Sequence, residues 1–550
     1  MSEDSSSNVQ KNDAARLIPV LEEVYGPRFL HFVLSLPDSR DAGVTLSEKQ
    51  AEATLVLYSW LQAFQHLDAP NRWINLASLA TARLTDSGKS NASVLREACG
   101  GEIEMPQCTE GDEVYRILSG YARDAYPAFL INRPDEEWVM GGFFYHPDER
   151  ESVDFCKAVL KDAQLRYLFP EFVDRDPDEL DHAALRRVDS LLYFEPGQGG
   201  SYQLPLLASH LVNSAYTRCV VTGDDSFASY MDAVERNLAD ARAMAAGRTA
   251  RLPVVLGFSN IALSGIDRIE LPSGHLRRVA ALDACFLPSQ VSVDALLVLD
   301  VPVRIAVKAK HPKNDEEHGD EAWDRAQKSF REWRNSLQWQ VDCHRLAFML
   351  ADSETHRSGA IQVLQVAVNP LLKSASAWWS DSRVQTSAVE VSIDASKVDD
   401  IRDWVENVTV QHPRSLRVAM RRILSAASTR TDPTDSLVDA VLAWENMFSD
   451  SPETSLRVCG SLALLLEPFD RNKRRVLVKE LTSIYATRSA IVHGNAREPS
   501  AETVYVDGDR ALEVAVEAMR RLYKNPELLK SQNASARGKE VLLGLIDVHY

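Results

Sequence analysis

The chain predicts an α+β fold: a mixed, mainly helical N-terminal region, a β-rich middle, and an all-α helical bundle at the C-terminal end. Three observations predict it. Residues up to about 247 alternate helical stretches with short strand-like runs. From Pro253 the text turns to short apolar runs bounded by turn residues, which is strand grammar. Beyond Val398 every recognisable element carries helical periodicity.

Taken in order, residues 1–15 are polar and Ser-rich, lack the blocks of a signal peptide, and read as a disordered tail. Residues 16–250 form the mainly helical region. In it, Thr45-Leu-Ser-Glu48 has capping-box spacing for a helix to Gln65, 138–145 reads as a strand, and 226–246 as a strong helix. Residues 251–400 are β-rich, with strands expected at 254–258, 268–271, 295–299, 303–307, 361–368 and 388–393. Between them lie a charged loop at 314–321 and a long helix with Trp323, Phe330, Trp333, Leu337 and Val341 at helical spacing. Residues 401–525 make the bundle. Its helices are expected at 413–427, from the Asp432-Pro433 cap through Phe448, at 453–466, 471–493 and 509–523. In the 453–466 helix Leu456, Cys459, Leu462, Ala463 and Leu466 are expected inward, short loops favour antiparallel neighbours, and 526–550 is a C-terminal extension.

Composition narrows the function classes. A net charge of -18 over 550 residues argues against wholesale coating of nucleic acid, so polyanion contact needs a local patch. Two patches stand out: Arg414, Arg417, Arg421 and Arg422, with Arg430 beyond, and Arg471, Lys473, Arg474, Arg475 and Lys479. The plainer reading of each is a solvated helix face. Seven dispersed cysteines with no C-x-x-C suit free thiols in a reducing compartment. No apolar run approaches the roughly 20 residues of a membrane span. A cytoplasmic protein with no membrane partner is expected.

The most informative stretch is Tyr485-Ala-Thr-Arg488-Ser489-Ala-Ile-Val-His493-Gly494. Apolar residues at Leu477, Leu481, Ile484 and Ile491 form one arc of a helix, and Arg488 falls near its middle. A guanidinium keeps its proton, so burying it requires acceptors. His493 lies roughly 140° from Arg488 on the wheel, in the last turn before a glycine stop, where the helix dipole favours imidazolium. The plainer reading pairs Arg488 with Glu445 inside the bundle and leaves His493 as a capping residue.

The segment around 410–525 resembles the Apea-like branch of the HEPN superfamily of helical bundles. The resemblance rests on Asp435-Ser-Leu-Val-Asp-Ala-Val-Leu-Ala-Trp-Glu445-Asn-Met-Phe448, on 456–466, and on Tyr485-x-x-Arg488-Ser489-x-x-x-His493-Gly494. It covers about a fifth of the chain. It implies a metal-independent ribonuclease, without cofactor, that works as a homodimer with two Arg–His pairs meeting across a twofold axis, often in anti-phage defence by abortive infection. Arg488 and His493 match the family's catalytic pair. Glu445 matches its acidic residue on the preceding helix, and Ser489 stands where other branches place Asn, Asp or His. Cleaving RNA without metal uses the substrate's 2′-hydroxyl as nucleophile; histidine moves protons and arginine clamps the phosphate. Arg414, Arg417, Arg421 and Arg422 are the candidate RNA-binding stripe, with 414, 417 and 421 on one helix face. The implied function is a HEPN endoribonuclease with its N-terminal region as sensor or regulator. The alternatives are a catalytically silent module that binds nucleic acid or nucleotide, and a dimerisation element.

Other signals carry less. Ser87-Gly88-Lys89-Ser90 lacks the earlier glycine of a P-loop, because Arg83 stands there. Gly197-Gln-Gly199-Gly200 suits a tight turn, Cys343-His344 lacks metal-ligand spacing, and Trp378-Trp379 suits a core more than a stacking platform.

Overall fold

The computed structural model describes residues 3–36, 45–83, 88–106, 111–134, 145, 149–196, 199–287, 291–310, 318–352, 354–357, 359–372, 375–379, 389–449, 454–494 and 499–546. The strand expected at 138–145 lies outside them except for Tyr145, as do the first half of the 314–321 loop, whose second half begins a helix, and part of the Gly197 turn.

The first helix, Glu3–Tyr25, starts where a disordered tail was expected. Its later turns bury Ala14, Leu21 and Tyr25 completely, and extending a docked helix by further turns is far easier than nucleating one. Helix Pro27–Leu34 follows, and the one after it, Glu48–Phe64, is capped two residues later than its expected box. Ser47 Oγ accepts from the Gln50 amide at 3.2 Å, and Gln50 Oε1 accepts from the Ser47 amide at 2.8 Å. Hydrophobic contact decides between the two registers, since Leu46 and Ala51 flank this cap and pack together with Ala14.

Eleven strands are described. They are β1 (Asp189–Phe194), β2 (Gly199–Gln203), β3 (Ala250–Ser259), β4 (Ile261–Leu263), β5 (Arg268–Leu271), β6 (Gly274–Arg278), β7 (Ala295–Val303), β8 (Ile305–Lys308), β9 (Ile361–Val368), β10 (Ala375–Trp379) and β11 (Val391–Ile393). Six form one antiparallel sheet in the order β10-β9-β3-β7-β6-β5, while β2-β1-β8 and β11-β4 are separate. The expected strand at 303–307 therefore splits: β7 keeps Val303, and after Arg304 the chain passes to the smaller sheet. The Glu195 amide and carboxylate hold Arg304 there. Expected strand 388–393 shortens to Val391–Ile393.

Helix Leu207–Thr222 is buried on nearly every side, which marks an element inside a layered core. It packs on helices Glu113–Leu130 and Phe227–Ala245 and on β3 and β9. Phe227–Ala245 is the strong helix expected at 226–246, capped by Ser226. The 34-residue helix His318–Ala351 also meets the sheet: Trp333 Nε1 donates to the Pro302 carbonyl at 3.1 Å, and Phe348 meets Phe258 edge-on.

The bundle follows from Val398 as helices Val398–Gln411, Arg417–Ser428, Pro433–Phe448, Thr454–Leu466, Arg471–His493 and Ala501–Lys524. It is docked on the long helix. Arg520 donates to the carbonyls of Met349 at 3.1 Å, Leu350 at 3.0 Å and Asp352, closing acceptors that a helix end leaves open. Asp509 accepts from His356 at 2.6 Å and from Arg357. Two expectations are corrected. The segment expected as an extension supplies helix Ala534–Leu542, which packs between Pro433–Phe448 and Thr454–Leu466 and belongs to the core. Leu456, expected inward, is 75% exposed, because the helix is rotated to bury Val458, Cys459, Leu462 and Leu465. Among the described residues no helix is long and apolar enough to cross a membrane.

Candidate active site

Helix Arg471–His493 is built to present Arg488 inward near its end. Asp470 caps its start, accepting from the amides of Asn472 at 2.9 Å and Lys473 at 3.0 Å. Leu477, Leu481 and Ile484 are its buried residues, and Arg488 is the next position on that face. The helix stops at Gly494, whose φ of +63° is the left-handed conformation, with its amide bonded to the Ala490 carbonyl. His493 is left in the last turn, exposed and without a hydrogen bond or ion pair among the described residues.

Facing Arg488 is Glu445, near the end of Pro433–Phe448. Trp444 beside it is fully buried and fixes the helix by donating Nε1–H to the Ala511 carbonyl at 3.0 Å. Glu445 has two partners. Tyr485 Oη donates to Oε1 at 2.5 Å, and Arg488 Nη2 donates to Oε2 at 3.3 Å. The Arg488 and Glu445 side chains are only 14% and 18% exposed, so the pair is largely desolvated. Burial, and then the Glu445 carboxylate, push the Tyr485 phenol well above its ordinary range, which keeps it a proton donor.

The guanidinium is under-used. Arginine offers five N–H donors, and charge-assisted pairs normally close to about 2.7–2.9 Å, often at two points. Arg488 makes one hydrogen bond and lies over the Tyr485 ring at 5.9 Å, and its buried Nε has no partner among the described residues. Both readings of the sequence allow the Arg488–Glu445 pair. The structure does not bring His493 to Arg488 within one chain: Arg488 faces the bundle and His493 faces outward. Ser489 is half-buried between them and makes no side-chain hydrogen bond among the described residues. Tyr485, the third member of the cluster, stands in the motif that carries the resemblance. Its signal was a phenol three residues before the arginine, on the same helix face.

The candidate RNA-binding stripe is mostly occupied within the chain. Arg414 lies in a separate 3₁₀ turn, Arg414–Leu416, and is exposed, so it does not share a helix with Arg417 and Arg421. Arg417 stacks over Trp339 at 5.0 Å, Arg421 meets Asp342 at 3.4 Å, and Arg422 pairs with the buried Asp439, which also takes Arg430 at 2.7 Å. Cys343 and His344 are core residues. Burial pulls the His344 imidazole down to about 4, and its ring donates Nδ1–H to the Gln340 carbonyl and accepts at Nε2 from Ser273. The six described cysteines are free thiols. No protein family, curated protein or solved structure matches this chain.

Proposed function

We propose that the chain is a metal-independent endoribonuclease whose active site is completed by a second copy across a twofold axis. What carries this reading is the desolvated Arg488, with one long ion pair and an unpartnered Nε, five residues before an exposed His493. A buried cation with spare donors is a receptor for an anion, and a phosphodiester oxygen satisfies it. Glu445 and Tyr485 hold the guanidinium in place. In the reaction the RNA 2′-oxygen attacks phosphorus, the 5′-oxygen leaves, and a 2′,3′-cyclic phosphate forms. One imidazole takes the 2′-proton and another donates to the leaving oxygen.

Each chain supplies one His493, so the acid–base pair calls for two chains. The surface nearby suits association: Val492 on the same helix, Leu456 on the one before and Tyr505 and Val506 on the one after are exposed apolar side chains. In this reading the N-terminal region acts as sensor or regulator, the setting is cytoplasmic anti-phage defence, and the substrate is RNA. A second reading, a silent module or dimerisation element, is favoured by the Arg488–Glu445 contact alone, because a pair closed inside the bundle needs no substrate. Incubating purified protein with RNA in EDTA separates the two. Cyclic-phosphate ends are expected from the native chain and none from His493→Ala; cleavage at native rate by His493→Ala overturns the ribonuclease reading.

A further inference from the structure

Helices of the N-terminal region and the segment 281–285 line an open cavity of about 710 Å³, within the roughly 300–1,000 Å³ range of small-molecule sites. Part of its wall is aromatic. Trp73 lines it, and Phe129 stacks on Tyr216 with ring centres 4.6 Å apart and planes 9° from parallel. Three arginines, Arg28, Arg72 and Arg133, also line it. Among the described residues only Arg28 has an acidic partner, Asp225. Arg133 donates to a neutral acceptor, the Cys285 carbonyl, at 2.9 Å, and Arg72 is half-buried with no hydrogen bond or ion pair among the described residues. The one carboxylate in the lining, Glu23, is exposed and pairs with none of the three.

The wall is thus left with unmatched positive charge, which is costly away from water and relieved by an anion. Two further wall residues carry an unsatisfied polar atom: Trp73 Nε1 and Asn213 Oδ1 have no partner among the described residues, in residues only 7% and 3% exposed, the first a donor that suits an anion and the second an acceptor that calls for a donor elsewhere on the occupant.

We propose that this cavity binds a small organic anion carrying a flat ring. Its phosphate or carboxylate sits on Arg72 and Arg133, and its ring lies against Trp73 and the Phe129–Tyr216 stack. The site is independent of the ribonuclease reading, which rests on other residues. Titration calorimetry of the full chain tests it with AMP as a phosphate-headed probe and 1-naphthoate as a carboxylate-headed one, against adenosine and inorganic phosphate. Saturable binding of AMP or naphthoate is expected, with adenosine and free phosphate each at least about tenfold weaker than the better probe. Arg72→Gln, at a half-buried side chain with no partner to lose, should fold and weaken that binding about tenfold. No binding of either ring-bearing anion overturns the proposal, as does binding that Arg72→Gln leaves unchanged. Free phosphate binding as tightly as AMP removes the ring and overturns it too.

Discussion

Two buried arginines in the same bundle, Arg537 and Arg488, occupy opposite electrostatic situations. Arg537 is fully buried, and its guanidinium donates to four acceptors: the carbonyls of Leu528 at 2.8 Å, Met447 at 2.9 Å and Leu529 at 3.3 Å, and Ser415 Oγ at 3.1 Å. Its hydrogen-bond acceptors are all neutral, and burial pulls it down to about 10 against the opposing charge of Glu540. Arg488 is slightly more exposed, faces a carboxylate, and uses one donor. A saturated arginine ties segments of chain together and has nothing left for a ligand. An unsaturated one is a poor tie and a ready receptor. Counting occupied donors thus distinguishes these two environments where burial alone does not.

The largest effect should come from removing the saturated arginine. Arg537→Ala opens a cavity and strips four acceptors, at about 3–5 kcal/mol. Arg488→Ala gives up one long contact and should cost about 1–2 kcal/mol. Urea unfolding of both variants tests the contrast, and equal losses break it.

Activity should reverse the order. Arg488→Ala and His493→Ala are expected to lower RNA cleavage at least about 100-fold with the far-ultraviolet circular dichroism retained. A variant such as Arg488→Lys should not restore it, because a point charge does not reproduce the planar fork. Full cleavage by the lysine variant would show that charge alone suffices. Association enters here as well: Val492→Glu on the exposed face should give monomers by light scattering and abolish cleavage together, and an active monomer removes the composite site.

A smaller effect sharpens the Arg537 side of the comparison. His412 is pulled down to about 4, first by burial and also by the Arg537 charge, against an ordinary 6.5. The folded state thus refuses a proton that the unfolded chain accepts. Stability is full above about pH 6.5 and is lost as pH falls toward 4, by about 1 kcal/mol per unit for this histidine. His344, pulled down to about 4 by burial, adds a fall of the same sign. Urea midpoints at pH 7, 6 and 5 should decline, and His412→Gln should flatten the decline; a midpoint that rises on acidification contradicts the assignment.

The smallest change is expected from the arginine stripe. Arg422 and Arg430 neutralise buried Asp439, so Arg422→Gln should lower stability and leave the salt dependence of RNA binding almost unchanged. Exposed Arg414 is the member whose loss should reduce the salt slope, by roughly 0.7 if it contacts a single-strand phosphate. The opposite pattern would return the stripe to the RNA-binding surface.

Much of this was legible in the sequence wherever one principle acted alone. Strands β5 and β9 fall on their expected residues, because each is a short β-favouring run bounded by turns. The stop at Gly494 and the inward face through Leu477, Leu481 and Ile484 were readable from period and punctuation. Strand β6 was not, since Gly274-His-Leu-Arg-Arg278 reads as polar. It is a strand because Arg277 finds both oxygens of Asp283, at 2.6 and 2.7 Å, and because Gly274 lets it pass β7 closely: a Cβ there would lie 1.9 Å from the Val298 carbonyl oxygen. Glu445 and Tyr485 were both legible through the resemblance, but the bond between them was not, because the two partners lie 40 residues apart. The cavity arginines are equally silent, since Arg28, Arg72 and Arg133 meet only through the fold.

The Arg520 contacts have a consequence for heat and for dissection. Three carbonyls at the end of the long helix, and the His356 and Arg357 contacts to Asp509, all cross the boundary the sequence placed near residue 400. A fragment cut at Val398 would carry Arg520 and Asp509 with those partners missing, and would have to hydrate both. The boundary in composition is thus no boundary in cooperativity: the sheet-bearing middle and the helical end should melt in a single endotherm, as one thermodynamic body.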